Sequence, residues 1–480
     1  MKFIPLLILI HASIFANNSK SPLEKCCEIH SKLVNNQFVT LYYTEKNNEL
    51  SHSFNPWDKT LYIKKGEVNF NASLLSKTDS IINQPRIYHS ISIFNDSNLI
   101  IQDYGEKIFT EQSNSEFTKM YFNSSRYTPT LLLNYFIHKK NINKSETVEN
   151  FIYQCIINQS IVKLIISKKN YYIQKIEILQ HNDLFGDVST IYYYSNFKKI
   201  KQLVLPFSIK IEKINGKVED QIEIESASIL NTKPNIFKSK TDYKHHENQI
   251  VTPSISTTKF NENLYLLELK HTDDRVLIVE FSDFLLVAEA PLNSENGELI
   301  INEAKKIAPN KPIKYFVFGH FHEHYIGGIR PFIAEGATII CSPFNKDYMK
   351  YIVDAKHTLS PDRLETYLKP LNFNIIQDSL VISDENNEMK IFFIGKKSEH
   401  TIDYLIYYFP KEKILFQDDL VWIKRDAPIT KARGRQAGLY QSIKDLNLEV
   451  KTIIQSWPVS DYGVKTIIPF EDLESSMKIK

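Results

Sequence analysis

Three histidines at alternate positions are the clearest chemical feature of the sequence. His320, His322 and His324 lie in the segment KYFVFGHFHEHYIGG, where an apolar run precedes them and two glycines follow. The apolar run predicts a buried strand, and the glycines allow a sharp turn into the next segment. Side chains two positions apart in an extended segment point to the same side. This pattern favours a zinc site, which needs about three or four nitrogen, sulfur or oxygen ligands, over solvated loop histidines.

Further candidate ligands lie downstream, after two other predicted strands. His400 is part of GKKSEHT, and Asp418 and Asp419 are part of ILFQDDLV. Side chains at the ends of separate strands converge at one edge of an α/β sheet. His400 alone is weak evidence, and an Asp-Asp pair is usually part of a turn. Their order and spacing after His320 and His322 indicate that these residues belong to one site.

The elements that must position these residues form the second of two predicted domains. The chain has 480 residues, about three times the ~150 residues expected of one domain. Residues 17–245 show the alternation typical of β-strands, including a hairpin in which Asn215 and Gly216 form a two-residue turn. Residues 257–480 alternate strands with helices, which is typical of an α/β domain. The predicted fold class is therefore α+β, with a linker between the two domains.

Residues 1–16, MKFIPLLILIHASIFA, have the features of a secretory signal peptide. Lys2 supplies a positive charge, residues 3–10 form an apolar core and Ala16 is the candidate cleavage residue. The apolar run is too short for a membrane span, which needs about 20 residues. We therefore expect an exported protein, periplasmic or secreted, without a transmembrane span.

Charge and cysteine content exclude two other classes of protein. Lysine and arginine nearly balance aspartate and glutamate, for a net charge of +2, whereas a nucleic-acid partner would require a strongly basic face. Four cysteines in a chain of this length do not form a disulfide framework. Cys341 lies in an apolar run and is expected in a core. A disulfide between Cys155 and either Cys26 or Cys27 remains open at the level of sequence.

Residues 257–480 resemble the metallo-β-lactamase fold superfamily. The superfamily motifs are H-x-H-x-D-H-x-G-G, G-H-T, L-F-x-G-D and a near-terminal P-G-H-G, and their counterparts here are HFHEHYIGG, SEHT, LFQDDL and PFED. The resemblance implies a four-layer αββα sandwich with a metal site at one edge. It also implies that His320, His322 and His400 bind the first zinc ion, and that Asp419 matches the aspartate that bridges both metals.

The sequence departs from the superfamily pattern at the second metal site. His324 stands at the motif's aspartate, Tyr325 stands at its third histidine, and no histidine follows His400. Glu471 stands roughly where the last histidine of the family would lie. Oxygen ligands fit harder metals better than zinc. We therefore expect one firm zinc site and a second site, built from His324, Asp419 and Glu471, that is weak, unusual or empty.

Residues 160–230 resemble the curved-sheet domain of lipoprotein-carrier proteins in the order of their elements. VKLIISKKNYYIQKIEIL is followed by GDVSTIYYYSNFKKI and LVLPFSIKIEKINGKVEDQIEI. The resemblance implies a half-open β-barrel with an apolar concave face. This domain would either hold an apolar ligand or pack against the second domain and position it, and we favour the second interpretation.

The predicted function is that of an exported zinc hydrolase acting on an ester, thioester, lactone or amide. Zinc with three imidazole ligands lowers the pKa of bound water from ~15.7 to ~7. Asp419 would orient the hydroxide or carry its proton, and Tyr325 would either polarise a substrate carbonyl or pack. The basic segment 422–435 would either bind an anionic substrate group or be solvated. The alternative function is a metal-depleted relative that binds an apolar ligand through its N-terminal domain, and the changes at His324 and Tyr325 favour it.

Overall fold

The computed structural model describes most of the chain. The described residues are 20–33, 37–50, 53–71, 74–83, 89–95, 98–103, 108–112, 121–234, 244–245, 252–385 and 387–479. The predicted signal peptide, residues 1–16, lies outside them. Within these ranges, no helix is both long enough and apolar enough to cross a membrane.

The N-terminal half of the chain forms one large sheet, which confirms the mostly β prediction. Its strands in chain order are β1 (Phe38–Glu49), β2 (Thr60–Phe70), β3 (Leu75–Ile81), β4 (His89–Asn95), β5 (Asn98–Asp103), β6 (Ile108–Gln112), β7 (Asn143–Glu146), β8 (Asn150–Ile157), β9 (Ser160–Ser167), β10 (Ile173–Asn182), β11 (Gly186–Ile200), β12 (Leu203–Lys213), β13 (Val218–Leu230) and β14 (Lys244–His245). In space they follow the order β14-β6-β5-β4-β3-β2-β1-β13-β12-β11-β10-β9-β8-β7. Neighbouring strands are antiparallel, except that β14 runs parallel to β6.

The hairpin between β12 and β13 differs in one detail from the prediction. Lys213 pairs with Val218, so the turn has four residues rather than the two predicted from Asn215 and Gly216. Ile214 also takes a positive φ of 50°, followed by Asn215 at 54° and Gly216 at 82°. Because three successive residues leave the extended conformation, the strands part earlier than a two-residue turn allows.

Two helices, α1 (Pro22–His30) and α2 (Thr130–Ile137), pack against one face of the sheet. α1 begins at a capping box, in which the Ser21 hydroxyl accepts the N–H of Glu24 and the Glu24 carboxylate accepts the N–H of Ser21. Both helices belong to the buried apolar cluster that includes alternate residues of β1, β9 and β12. This apolar face of the sheet is therefore covered by side chains of the protein itself.

The C-terminal half of the chain contains two further sheets. The strands of the first sheet are β15 (Ile255–Lys259), β16 (Leu264–Leu269), β17 (Asp274–Glu280), β18 (Leu285–Ala288), β19 (Ile313–Val317), β20 (Thr338–Cys341) and β21 (Phe373–Ile375). The strands of the second sheet are β22 (Ser379–Ser383), β23 (Glu388–Phe393), β24 (Leu405–Phe409), β25 (Ile414–Gln417), β26 (Thr452–Gln455) and β27 (Ile467–Pro469). In each sheet the spatial order is the chain order.

Helices cover the outer faces of these two sheets. The helices of this half are α3 (Ser294–Ile307), α4 (Glu323–Ile326), α5 (Ile329–Glu335), α6 (Lys346–Asp354), α7 (Arg363–Thr366), α8 (Gly434–Asp445) and α9 (Phe470–Lys478). Along β17, Val276 and Ile278 pack against α3 and α5, whereas Leu277 and Val279 pack against the second sheet. α8 and α9 pack on the outer face of the second sheet. This order of layers is the predicted αββα sandwich.

The four cysteines are all buried and form no disulfide bond. Cys26 and Cys27 lie in α1, Cys155 lies in β8 and Cys341 lies in β20. The bridge left open by the sequence is therefore absent. Burial raises the pKa of the Cys27 thiol to about 12 and that of the Cys155 thiol to about 11, so both are protonated at neutral pH.

Two turns of the N-terminal sheet contact the C-terminal half. At the turn between β10 and β11, the N–H of Asp187 donates to the carbonyl of Lys356 at 2.6 Å. Gly186 beside it has a φ of +68°, and a Cβ atom there would lie 2.2 Å from the Lys356 carbonyl oxygen. In the loop between β1 and β2, the carbonyl of Phe54 accepts the N–H of Ile402 at 3.0 Å. The loop thereby reaches the segment that carries His400.

Candidate metal centre

His320, His322 and His400 form a compact cluster at one edge of the sandwich. Each offers a ring nitrogen that lies within 4.8 Å of those of the other two. His320 and His322 follow the end of β19, and His400 follows the short 3₁₀ helix Gly395–Ser398. The ring centroids are 4.5, 4.7 and 5.0 Å apart. The structure thus brings together the three histidines that the sequence predicts to share one metal ion.

Hydrogen bonds orient two of the three imidazoles. Nδ1 of His320 lies 2.7 Å from the Asp418 carboxylate, and Nε2 of His322 lies 3.1 Å from the carbonyl of Ser53. Because both partners are acceptors, these ring nitrogens carry the protons. Nε2 of His320 and Nδ1 of His322 then face each other at 3.0 Å, each with a lone pair. Two lone pairs at this distance are well suited to a shared cation.

The third imidazole completes the fit to a metal ion. Nε2 of His400 is buried and makes no hydrogen bond, although Oδ2 of Asp419 lies 2.9 Å away. A buried ring nitrogen without a hydrogen bond is unfavourable unless another group binds it. The donor set of three imidazoles with an adjacent carboxylate is the chemistry that zinc prefers. The residues present therefore fit the metal that the sequence predicts.

Asp418 and Glu289 form a buried pair behind His320. Glu289 accepts hydrogen bonds from the N–H of Gly319 at 3.0 Å and from the hydroxyl of Tyr407 at 2.8 Å. Burial raises the pKa of Glu289 to about 8, and burial together with the charge of Glu289 raises the pKa of Asp418 well above its usual value. Oε2 of Glu289 and Oδ1 of Asp418 are buried without a hydrogen-bond partner in the described part of the chain, which further disfavours ionisation of both carboxyls together.

Asp419 stands on the open side of the cluster as an ionised carboxylate. It accepts hydrogen bonds from the hydroxyl of Tyr404 at 3.2 Å and from the guanidinium of Arg435 at 3.0 Å. Burial opposes ionisation, but the adjacent His400 ring and the positive charge of Arg435 outweigh it and lower the pKa of Asp419. Arg435 is the one residue of the basic segment 422–435 that the structure ties to the site.

The remaining candidate residues lie outside the three-histidine cluster. His322 ends the extended segment, and the helix α4 that follows turns His324 away, so the expectation of an extended segment was wrong beyond His322. Nδ1 of His324 lies 3.0 Å from the buried carboxylate of Asp274. Tyr325 is buried, with its ring centroid 4.3 Å from that of His320. Glu471 is exposed in the first turn of α9.

A cavity of about 170 Å³ lies beside the cluster, between the two halves of the chain. His322, His324 and Asp419 line one side of it, and Trp57 and Phe185 of the N-terminal half line the other. The N-terminal half of the sequence contains no cluster of residues typical of a catalytic site, so these aromatic residues were not predicted. No local pattern marks them, because their role depends on how the two halves meet.

The sequence matches no protein-family model and no curated protein. Solved structures are similar to about half of the chain. A metallo-β-lactamase from Pontibacter korlensis covers 47% of this chain and 98% of its own, with 15% identity and a TM-score of 0.35. FIM-1 from Pseudomonas aeruginosa, in its mono-zinc form, covers 48% and 95%, with 19% identity and a TM-score of 0.34. A flavoprotein from Thermotoga maritima covers 47% of this chain and 61% of its own, with 13% identity and a TM-score of 0.34.

The matched structures cover about half of this chain. The αββα order of layers predicted from the motifs is the order that the two C-terminal sheets and their helices show. At these identities and TM-scores the similarity does not extend to the chemistry, which depends on the residues of this chain.

Proposed function

We propose that the protein is a zinc-dependent hydrolase that cleaves an ester, thioester, lactone or amide. The observation that carries the proposal is the convergence of one ring nitrogen each from His320, His322 and His400 within 4.8 Å. Zinc held by these three imidazoles would supply hydroxide near neutral pH, because zinc lowers the pKa of bound water to ~7. A single such site suits carbonyl substrates, whereas phosphodiester cleavage generally uses two metals.

The residues around the cluster orient two of the three imidazoles. Asp418 holds the proton of His320 on Nδ1, and the Ser53 carbonyl holds that of His322 on Nε2. Such outer hydrogen bonds fix the tautomer and the ring orientation of metal-binding histidines, and their loss typically reduces metal affinity about 10- to 100-fold. The pattern of proton positions therefore supports metal binding more strongly than three nearby histidines would alone.

Asp419 is the candidate proton acceptor of the reaction. Its carboxylate lies 2.9 Å from Nε2 of His400, and Tyr404 and Arg435 fix its orientation. Since the carboxylate is ionised, it can accept a proton from water or return one to a leaving group within hydrogen-bond distance. Tyr325 packs its ring on that of His320, which favours its packing role over direct polarisation of a substrate carbonyl.

The second metal site expected to be weak has little support beyond Asp419. His324 directs Nδ1 to Asp274, and Glu471 is not among the ligand atoms that cluster within 4.8 Å in the described part of the chain. We therefore propose one zinc ion per chain. We also retain the proposal that residues 1–16 direct export of the protein to the periplasm or the medium.

The alternative function, an apolar ligand held by the N-terminal sheet, has weaker support. α1 and α2 cover the apolar face of this sheet, and their side chains belong to its buried cluster. A ligand on that face would have to displace them.

Elemental mass spectrometry of the purified protein tests the zinc proposal. We expect about one zinc per chain in the wild type, less than about a tenth of that in His400→Ala, and parallel loss of p-nitrophenyl acetate hydrolysis. His138→Ala is the matched control, because His138 is exposed and distant in sequence from the cluster. Full zinc content in His400→Ala would show that the assigned ligand set is wrong.

A further inference from the structure

The cavity beside the histidine cluster has a polar wall and an apolar wall. The polar wall carries His322, His324 and Asp419 of the C-terminal half. The apolar wall includes aromatic residues of the C-terminal half, namely Phe321, Tyr325 and Tyr348, and residues from two turns of the N-terminal sheet, one between β1 and β2 and one between β10 and β11. The residues from these turns are Leu50, Trp57, Leu184 and Phe185. A substrate whose carbonyl lies at the cluster therefore has these turns of the N-terminal sheet within the same cavity.

Trp57 occupies a backbone position that does not suit it. The turn Asn55–Asp58 is closed by a hydrogen bond of 3.1 Å from the N–H of Asp58 to the carbonyl of Asn55. Trp57, the third residue of this turn after Pro56, has a φ of 70°. Glycine or asparagine normally fills such a position, and a bulky residue is strained there. Strain of this kind persists where the surrounding contacts favour the residue, and it is often found at ligand sites.

Aromatic contacts hold the indole of Trp57 across the boundary between the halves. Its ring stacks on Phe185 at a centroid distance of 5.4 Å. It meets the rings of Tyr348 and Tyr351 edge-on, at 5.2 and 4.9 Å. These contacts come from both halves of the chain and fix the ring where it lines the cavity. Trp57 is thus a rigid part of the apolar wall.

The size and lining of the cavity define the group that it fits. Its volume of about 170 Å³ is close to that of an apolar cavity of about 150 Å³ that binds benzene. Leu50, Trp57, Leu184 and Phe185 give the cavity an apolar surface. Burying a charged group against apolar side chains is costly. A neutral apolar group of about the size of a benzene ring is therefore favoured against this wall.

We propose that the N-terminal domain is the substrate-selecting part of the enzyme. It places Trp57 and Phe185 against a neutral, benzene-sized apolar group of the substrate, while the histidine cluster faces the carbonyl. The substrate class is thus narrowed to neutral aryl- or short alkyl-substituted esters, thioesters, lactones or amides. This inference rests on the proposed hydrolase function for the position of the carbonyl.

Binding of a ketone that cannot be hydrolysed tests the apolar wall directly. Phenylacetone and acetone are titrated against the full-length, zinc-loaded protein by isothermal calorimetry. We expect phenylacetone to bind about 10- to 100-fold more tightly than acetone, because burial of a phenyl group contributes on this scale. Trp57→Gly suits the backbone of the turn and removes the indole, so it should reduce this preference about tenfold. Equal affinities in the wild type, or an unchanged preference in Trp57→Gly, would overturn the inference.

A second variant changes the charge of the wall without removing an aromatic ring. Leu50→Lys places a positive charge at a half-buried residue of the cavity. It should weaken phenylacetone binding at least about threefold and improve phenylacetate binding by a similar factor. Leu368→Lys is the matched control, since Leu368 is 77% exposed and does not line the cavity. Wild-type affinity for both ligands in Leu50→Lys would contradict the placement of this wall.

Measuring hydrolysis of two esters distinguishes a wrong assignment of the apolar wall from a wrong assignment of the hydrolase function. Methyl phenylacetate and methyl acetate are compared by kcat/KM in the same zinc-loaded protein. Preferential binding of phenylacetone without hydrolysis of either ester would support the apolar wall and contradict the hydrolase function. Hydrolysis of both esters with equal kcat/KM would support the hydrolase function and contradict the role of the wall.

Discussion

Gly319 and Asp418 fit each other at the centre of the metal site. A Cβ atom at position 319 would lie 2.1 Å from Oδ2 of Asp418, far inside van der Waals contact. The motif of the resembling superfamily has a glycine where this chain has Asp418. Here the carboxylate of Asp418 fills the space beside Gly319 and orients the imidazole of His320. The two positions are therefore complementary in size.

This complementarity predicts non-additive effects of substitution. We expect Gly319→Ala to destabilise the protein by about 1–3 kcal/mol, because it overpacks a filled core. Asp418→Ala removes the atoms that would clash, so Gly319→Ala should have a smaller effect in that background. Urea unfolding of both single variants and the double variant measures the coupling, which we expect to be at least about 1 kcal/mol. Additive free energies of unfolding would show that the close approach is relieved in another way.

Contacts of the site between residues close in sequence could be predicted, whereas contacts between distant residues could not. His320 and His322 stand in one short motif, and their shared orientation follows from the extended backbone between them. The contact of Ser53 with His322 could not be predicted, because the two residues are 269 positions apart and the contact uses a backbone carbonyl. Glu289 could have been suspected from sequence, since an acidic residue directly follows the buried strand β18. Its pairing with Asp418 could not, because Asp418 follows a strand of the other sheet.

At the scale of single elements, α1 is held to the N-terminal sheet by a neutral histidine. Nδ1 of His30 lies 2.7 Å from the carbonyl of Val204, and the N–H of Ile173 donates to Nε2 at 3.1 Å. The first contact needs a proton on Nδ1, and the second needs a lone pair on Nε2, so only one neutral tautomer satisfies both. Burial lowers the pKa of His30 from 6.5 to about 4.

The lowered pKa of His30 predicts a loss of stability in acid. The folded protein binds this proton less readily than the unfolded chain, so the stabilisation is complete above about pH 6.5 and is lost as the pH falls towards 4. Between pH 7 and pH 5 this group should remove about 2 kcal/mol from the free energy of unfolding. Urea unfolding at several pH values measures this effect. The free energy of unfolding should fall less steeply with decreasing pH in His30→Gln than in the wild type. The exposed His138→Gln serves as the control, and a slope in His30→Gln equal to that of the wild type would refute the assignment.

Helices were predictable from sequence where they were long enough to show a period. α3 has buried apolar residues at helical spacing, among them Ile300 and Ala304, and the side chain of Asn293 caps it by accepting the N–H of Asn296. α4 contains only four residues, too few for a helical period to be distinguished from an extended segment. Its presence turns His324 away from the other two histidines of the motif.

At the scale of the whole molecule, the two halves of the chain are in contact around the cavity. The fold of each half follows from local alternation and periodicity, and both were predictable. Their contact was not, because it depends on turns whose residues carry no motif. Asp187 is the main polar link, since its carboxylate accepts the N–H of Thr358 at 2.9 Å, the Thr358 hydroxyl at 2.5 Å and the N–H of Leu359 at 3.1 Å.

Asp187→Ala should loosen this contact while leaving both halves folded. The substitution removes three hydrogen bonds to a charged group, and we expect it to lower the free energy of unfolding by about 2 kcal/mol. Zinc should be retained, because the three histidines all belong to the C-terminal half. The preference for phenylacetone over acetone should fall, because the apolar wall would be displaced from the metal site. Asp183→Ala is the matched control, because the side chain of Asp183 is 60% exposed. If calorimetry showed wild-type stability together with an unchanged ketone preference in Asp187→Ala, the turn between β10 and β11 would not be what holds the wall against the metal site.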